Sequence, residues 1–392
     1  MRHTKILWST LLGLMIGVVA AGGASNVQAI REVTPTPTPA ATAEVTSDAP
    51  VTPVGTLDEQ LNAAYSLFES GDYDEAIDAA TAMIELYPDA AEVYLLRGIA
   101  YRQMNNINRA IDDFTRAINI LPYDWTAYTF RADVYGQSGK TGDALNDYDK
   151  AIELNPRYAP AFTGRSALLD QTGNSQNAQI DLLIAEGITS FSRQDLTGAM
   201  SKFTQAIEVD ETPDSLVSNA YYNRALVHAT LGDVDLSIED YTSALELDPR
   251  MHDSYLGRGI AYRQIEEIEK AGVDFAERIE LLGTETIEGT LEIGVSEEIE
   301  MTYGQINRFT FEGQEGQRLD ISARDIMLIG VDPLIVLLDP NGTPIAGDDD
   351  AGGELDAQIA NFELPSDGTY TLIVSHANGG YNGLVSVFVQ EE

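Results

Sequence analysis

Cysteine is absent from all 392 residues. Disulfides, thiol catalysis, zinc–thiolate sites and a lipid-modified N-terminal cysteine are therefore excluded, and stability has to come from packing. Positive charge is scarce, with 23 Lys plus Arg against 63 Asp plus Glu for a formal charge of −40. Lysine is confined to Lys5, Lys140, Lys150, Lys202 and Lys270. A nucleic-acid binder needs a basic footprint to displace phosphate counterions, and none exists; anionic membrane surfaces are disfavoured for the same reason. Cationic proteins, cations and neutral glycans stay compatible, and lysine depletion also suits a salt-rich habitat. Histidine is limited to four residues, with no H-E-x-x-H or similar ligand spacing. Nucleophile-elbow, phosphate-loop and dinucleotide-binding glycine patterns are missing too. Carboxylate pairs are so abundant that no single one marks a hydrolytic dyad. The chain is thus expected to be no enzyme. His228 fills a slot held by Tyr101, Tyr135 and Tyr262 in neighbouring segments and reads as packing, and His376 beside Ser375 lacks a nucleophile's setting.

What is present begins with a basic Met1-Arg2-His3-Thr4-Lys5, an apolar run from Ile6 to about Ala21 and small residues up to Val27-Gln28-Ala29. That is the layout of a secretory signal peptide over 1–29, while an uncleaved run would serve as one membrane anchor. Either way the remainder is expected outside the cytoplasm, secreted or associated with the cell surface. Residues 30–56, with Thr34-Pro35-Thr36-Pro37-Thr38-Pro39, read as an extended proline/threonine stalk.

From 57 to 283 the sequence repeats itself. Small residues recur at Ala76, Ala110, Ala144 and Ala178, spaced by 34, and again at Ala199, Ser237 and Ala271. Four positions later comes Phe114, Tyr148, Phe203, Tyr241 or Phe275, a spacing that makes a helix stripe. A preceding helix carries Tyr94, Tyr128, Phe162, Tyr221 or Tyr255, a glycine-tending turn follows, and prolines close repeats at Pro88, Pro122, Pro156 and Pro249. This helix–turn–helix unit resembles the tetratricopeptide repeat, which implies an all-α solenoid binding a protein or peptide along a concave groove. Ala178 to Ala199 spans only 21 residues, so one helix over about 176–192 matches both the end of the fourth repeat and the start of the fifth. Ala199 to Ser237 spans 38, placing extra residues around 211–215. Two blocks, about 57–179 and 180–283, are expected to meet near Ile180.

Positions nearly symmetric about each turn should face each other across the helical hairpin. They hold Arg97 with Asp113, Arg131 with Asp147, Arg165 with Asp181, Arg224 with Asp240, and Arg258 with Asp274, swapping sign to Glu186 with Lys202. Structural pairing is the expected role, with an anion-binding track as the alternative. One face of the first helices supplies the candidate groove: Leu95, Ile99 and Arg102; Thr129, Asp133 and Gln137; Tyr222 and Leu226; and Leu256, Ile260 and Arg263. The apolar members equally suit support of neighbouring helices.

Over 285–392 the period changes to short β-rich runs at Phe309-Thr310-Phe311, Leu319-Asp320-Ile321, 333–338, 358–364, 369–374 and 384–389. Turns are marked by Asp339-Pro340-Asn341-Gly342, Ser366-Asp367-Gly368 and Asn378-Gly379-Gly380, and the spacing predicts an antiparallel sandwich. Phe309 before Gly313 and Gly316, the 334–339 run with Gly342, Asp348-Asp349, and Gly368-Thr369-Tyr370 ahead of Tyr381 resemble the bacterial pre-peptidase C-terminal domain. That resemblance implies a β-sandwich of secreted bacterial proteins, which usually accompanies proteases. Asp348, Asp349, Asp350, Glu354 and Asp356 on a glycine-rich loop suit calcium, or are a solvated acidic turn. The expectation is a multidomain chain, an all-α solenoid and then an all-β sandwich. It is read as an exported non-catalytic scaffold without cofactor save candidate calcium, or as a matrix or glycan binder acting through the sandwich.

Overall fold

The computed structural model describes residues 55–209, 215–302, 304–327, 331–350, 356–377 and 383–391. The leader, most of the stalk, the inserted loop, Glu354 and the turn at 378–380 lie outside the described residues. Among those described, thirteen helices precede nine strands. The helices are α1 (Leu57–Ser70), α2 (Tyr73–Leu86), α3 (Ala91–Gln103), α4 (Ile107–Ile120), α5 (Trp125–Gln137), α6 (Thr141–Leu154), α7 (Ala159–Gln171), α8 (Ser175–Ser192), α9 (Leu196–Val209), α10 (Ser218–Leu231), α11 (Val234–Leu247), α12 (His252–Gln264) and α13 (Ile268–Leu282). An all-α repeat region followed by an all-β module is therefore the architecture. Contacts divide the chain into two compact units at Ser138/Gly139, whereas the sequence placed a junction near Ile180. The reason is α8, which runs unbroken through a buried Ile180.

In the N-terminal unit, Thr56 starts α1 with a reciprocal capping box to Glu59, and Gly71 closes the first turn in the left-handed region at φ 86°. The periodic small and aromatic residues make the core, with Ala76, Ala110, Phe114 and Ala117 fully buried. Small residues are needed because helices touch there: a Cβ on Gly98 would sit 2.6 Å from the Phe114 ring.

The facing charges at Arg97, Arg165, Arg224, Arg258 and Lys202 are bonded. Arg97 donates through Nε and Nη2 to both oxygens of Asp113 at 2.8 Å, and Arg165 does so to Asp181 at 2.8 and 2.7 Å. Arg224 with Asp240 and Arg258 with Asp274 repeat the fork, and the swapped Lys202 and Glu186 lie 2.5 Å apart. Each arginine has a further bond that the sequence reading missed. Its Nη1 reaches back to the helix before its own, from Arg97 to Thr81, Arg131 to Thr115, Arg165 to Asp149, Arg224 to Thr204 and Arg258 to Thr242. The guanidinium fork thus joins three helices, consistent with structural pairing.

The strands are β1 (Glu285–Thr290), β2 (Ser296–Met301), β3 (Gln305–Gly313), β4 (Arg318–Asp325), β5 (Pro333–Leu338), β6 (Pro344–Asp348), β7 (Ala357–Glu363), β8 (Gly368–His376) and β9 (Gly383–Glu391). They form sheets of order β1-β3-β8-β5-β6 and β2-β9-β4-β7. Three of them lacked a sequence signal: β1 and β2 are charged, mostly exposed edge strands, and β6 opens on proline. The sandwich departs from purely antiparallel because β1 pairs parallel with β3. The Asp339 turn is as expected, its carboxylate accepting from the amides of Asn341 and Thr343 at 2.9 and 2.8 Å.

Within the C-terminal unit the first sheet is covered on both faces. Along β5, Ile335 and Leu337 point into the sandwich, while Leu334, Val336 and Leu338 pack with Ala271, Phe275 and Ile279 of α13. Double burial explains the uninterrupted apolar run, since a half-exposed strand would alternate. The approach is close enough to require glycine: a Cβ on Gly272 would lie 2.9 Å from the Ala346 backbone. Arg263 Nη2 sits 2.6 Å from Asp348 Oδ1. Buried Arg278 donates to the carbonyls of His376 and Ala377.

Candidate functional site

The irregular helix α8 has 18 residues where its neighbours have 13 or 14. Its extra length carries Ile188, Phe191 and Ser192 past the end of the regular repeat. Asn155 and Arg157, in the turn before α7, and Asn223 and Leu226 of α10 complete a cleft of about 230 Å³. Asn155 Oδ1 accepts from the Arg157 amide at 3.0 Å and fixes the turn. Asn223 is buried and donates Nδ2 to the carbonyls of Pro156 at 2.9 Å and Asn219 at 2.8 Å, tying α10 to that same turn.

Arg157 lies with its guanidinium carbon 5.3 Å from the Phe191 ring centroid. Unlike the ladder arginines it has no carboxylate partner among the described residues. Asp253, deeper in the same unit, is pushed upward by burial, but the His252 contact together with Arg278 and Arg157 outweighs this and leaves its carboxyl below the ordinary range. Burial raises Tyr222 and Tyr241 nearby, which therefore stay neutral. The arrangement offers an apolar floor, uncharged hydrogen-bonding rims and one available cation, a chemistry of recognition.

Of the sequence-derived groove positions, Leu226 lines this cleft. Leu95, Ile99, Thr129, Tyr222 and Leu256 are buried in the core, Tyr222 tilted against Tyr241 at 6.1 Å. Arg102 and Asp133 pair at 2.9 Å, Gln137 is exposed, and half-buried Ile260 packs with the α13 cluster. Those buried side chains support neighbouring helices, and Arg263 is bonded into the sandwich junction. The remaining cleft residues were missed because counting by repeat assigns no groove face where two repeats share one helix. The 21-residue spacing was the available signal.

Of the acidic candidates, Asp348, Asp349, Asp350 and Asp356 are among the described residues. Asp348 is 1% exposed, and while Oδ1 meets Arg263, Oδ2 accepts from the Gln358 amide at 2.7 Å. Asp356 accepts from the Asp325 amide at 3.1 Å. Asp350 is raised by burial and by Asp348. Among the described residues no group of three or more acidic or histidine side chains is placed to hold a metal ion. Asp348, in particular, is a strand residue committed to a helix rather than an available loop ligand. Asp349 is 7% exposed and is pushed up to about 7 by burial, then by Asp350, Asp348 and Asp332.

A carboxyl raised in the folded state stabilises that state only while protonated, so its contribution falls as pH rises from about 4 through 7. Asp349→Asn is therefore expected to raise stability at pH 8 by roughly 1–3 kcal/mol and to leave it nearly unchanged at pH 4. Urea denaturation at the two pH values measures this, and a pH-independent effect would contradict it. His376, 5% exposed, is lowered to about 4 by burial and then by Arg278, so it stays neutral in the fold and its contribution to stability is lost as pH falls from about 6.5 through 4.

Models of the tetratricopeptide repeat match residues 61–124, 126–158 and 218–251. A model of the bacterial pre-peptidase C-terminal domain matches 305–376. The chain is 37% identical over 82 residues to a protein named SGT1 homolog from Oryza sativa subsp. japonica, covering 21% of each chain. It is 37% identical over 75 residues to a probable subtilase-type serine protease of Deinococcus radiodurans, covering 19% of this chain and 10% of that one. The chain thus spans about a fifth and a tenth of the length of these curated relatives. The crystal structure of MamA matches at 19% identity and a TM-score of 0.28, covering 47% of this chain and 94% of that one.

Proposed function

Since this chain carries tetratricopeptide repeats within 61–251 and a bacterial pre-peptidase C-terminal domain at 305–376, we propose that it is an exported scaffold without catalytic activity of its own, holding a polypeptide partner in the cleft among α7, α8 and α10. Tetratricopeptide repeats support a role in protein–protein interaction. The observation that carries the finer reading is the cleft itself, where Phe191, Ile188 and Leu226 offer apolar contact beside an arginine without a carboxylate partner. Export is supported by the basic and then apolar N-terminal layout, which lies outside the described residues. The rival reading, a matrix or glycan binder working through the sandwich, is less favoured because α13 covers one outer face of that module.

Phe191→Ala combined with Leu226→Ser is expected to weaken capture of the native partner from an envelope extract by tenfold or more, as roughly 1.4 kcal/mol of lost contact suffices. Circular dichroism establishes that the variant is folded. Normal capture by a folded variant would move the binding site elsewhere.

A further inference from the structure

We infer that the cleft selects a glutamate or aspartate side chain of the partner segment, read by Arg157 and flanked by apolar neighbours. This rests on the proposed function and gives its partner a chemistry. In a chain with 63 acidic residues, the cleft is lined among the described residues by Asn155, Ser192 and Asn223 as its polar members, Arg157 as its cation and no carboxylate. The ladder arginines spend their forks on Asp113, Asp181, Asp240 and Asp274, whereas Arg157 lies over the Phe191 ring with its guanidinium carbon 5.3 Å from the centroid and makes no such fork among the described residues. A guanidinium held by a ring face is oriented in advance, and its planar donor edge matches a carboxylate in two parallel bonds.

Two further facts restrict the ligand. The cleft, at about 230 Å³, is smaller than the 300 Å³ or so at which drug-sized pockets begin, so it accommodates side chains and not a folded surface. The formal charge of −40 repels an acidic tract at long range, but that field is screened within about 8 Å at physiological salt. A lone carboxylate among apolar residues avoids the repulsion and still reaches Arg157.

The test uses the full chain and two capped peptides, acetyl-Leu-Glu-Leu-amide and acetyl-Leu-Gln-Leu-amide, followed by saturation-transfer NMR. The glutamate peptide is expected to bind at least about fivefold more tightly, a difference near 1 kcal/mol. The preference should vanish in Arg157→Ala, persist in part in Arg157→Lys, and survive Arg109→Ala, whose cation rests on Tyr101 in the other unit. It should also fade below about pH 4 as the peptide carboxylate protonates. Equal binding of the two peptides, binding of neither at millimolar concentration, or a preference retained in Arg157→Ala would overturn the inference. If both peptides bind equally and Phe191→Ala with Leu226→Ser removes both, the cleft still holds partners and only its acidic selectivity is wrong.

Discussion

Replacing Arg165 with alanine is expected to cost about 3–5 kcal/mol of stability, because it strands a buried charge. Asp181 is 0% exposed, and its two oxygens are held by the Arg165 fork. Even with that partner, burial raises the Asp181 carboxyl above its ordinary value. Without it, the carboxylate must take up a proton or admit water. The defect should therefore shrink as pH falls, since a group with a raised folded-state value favours the fold only in its protonated form. Arg165→Met with Asp181→Leu, which removes both charges, should be far milder than the sum of the single losses. Urea denaturation of the singles and the double gives the coupling. Additivity within about 0.5 kcal/mol would mean that the pair contributes nothing through its contact.

Phe275→Ala should have an effect of comparable size, about 3–5 kcal/mol, and it should appear in two places at once. Phe275 is fully buried and shares a cluster with Leu334, Val336, Ile373 and Ile306 of the sheet. Its loss opens a cavity between α13 and the strands rather than inside one module. Hydrogen exchange is expected to show α13, β5 and β8 losing protection together. If α13 loosens while the strands keep full protection, the sandwich is stable on its own. Gly272→Val offers an independent check, because a side chain there meets the Ala346 backbone and would separate helix from sheet without touching either core.

The repeat region was legible because one pattern is written several times: Ala110, Ala144, Ala199 and Ala271 with their following aromatics betray a pattern that no single copy would. The same redundancy exposed the arginine–aspartate pairs, through the sign swap at Glu186 and Lys202. What escaped was whatever depends on contacts between non-equivalent elements. Thr81, Thr115 and Thr242 are ordinary helix threonines until the next hairpin's arginine arrives. Asp348 resembled a loop ligand because Arg263 lies 85 positions earlier in the chain. Strand β1 was invisible because its exposed, charged sequence has no face to bury. The run from Leu334 to Leu338, by contrast, did announce cover on both faces, and its continuity was the missed clue to the helix lying on it.

The backward bonds from each arginine also give the array an arrow in time. A ribosome releases the chain N-terminus first, so Thr81 has emerged before Arg97, Asp149 before Arg165, and Thr242 before Arg258. Every late-arriving guanidinium finds its upstream acceptor already waiting, and what it still lacks, the aspartate 16 residues on, follows almost at once. Between those two moments the newest guanidinium is already anchored upstream by one hydroxyl or carboxylate while its fork waits for the aspartate.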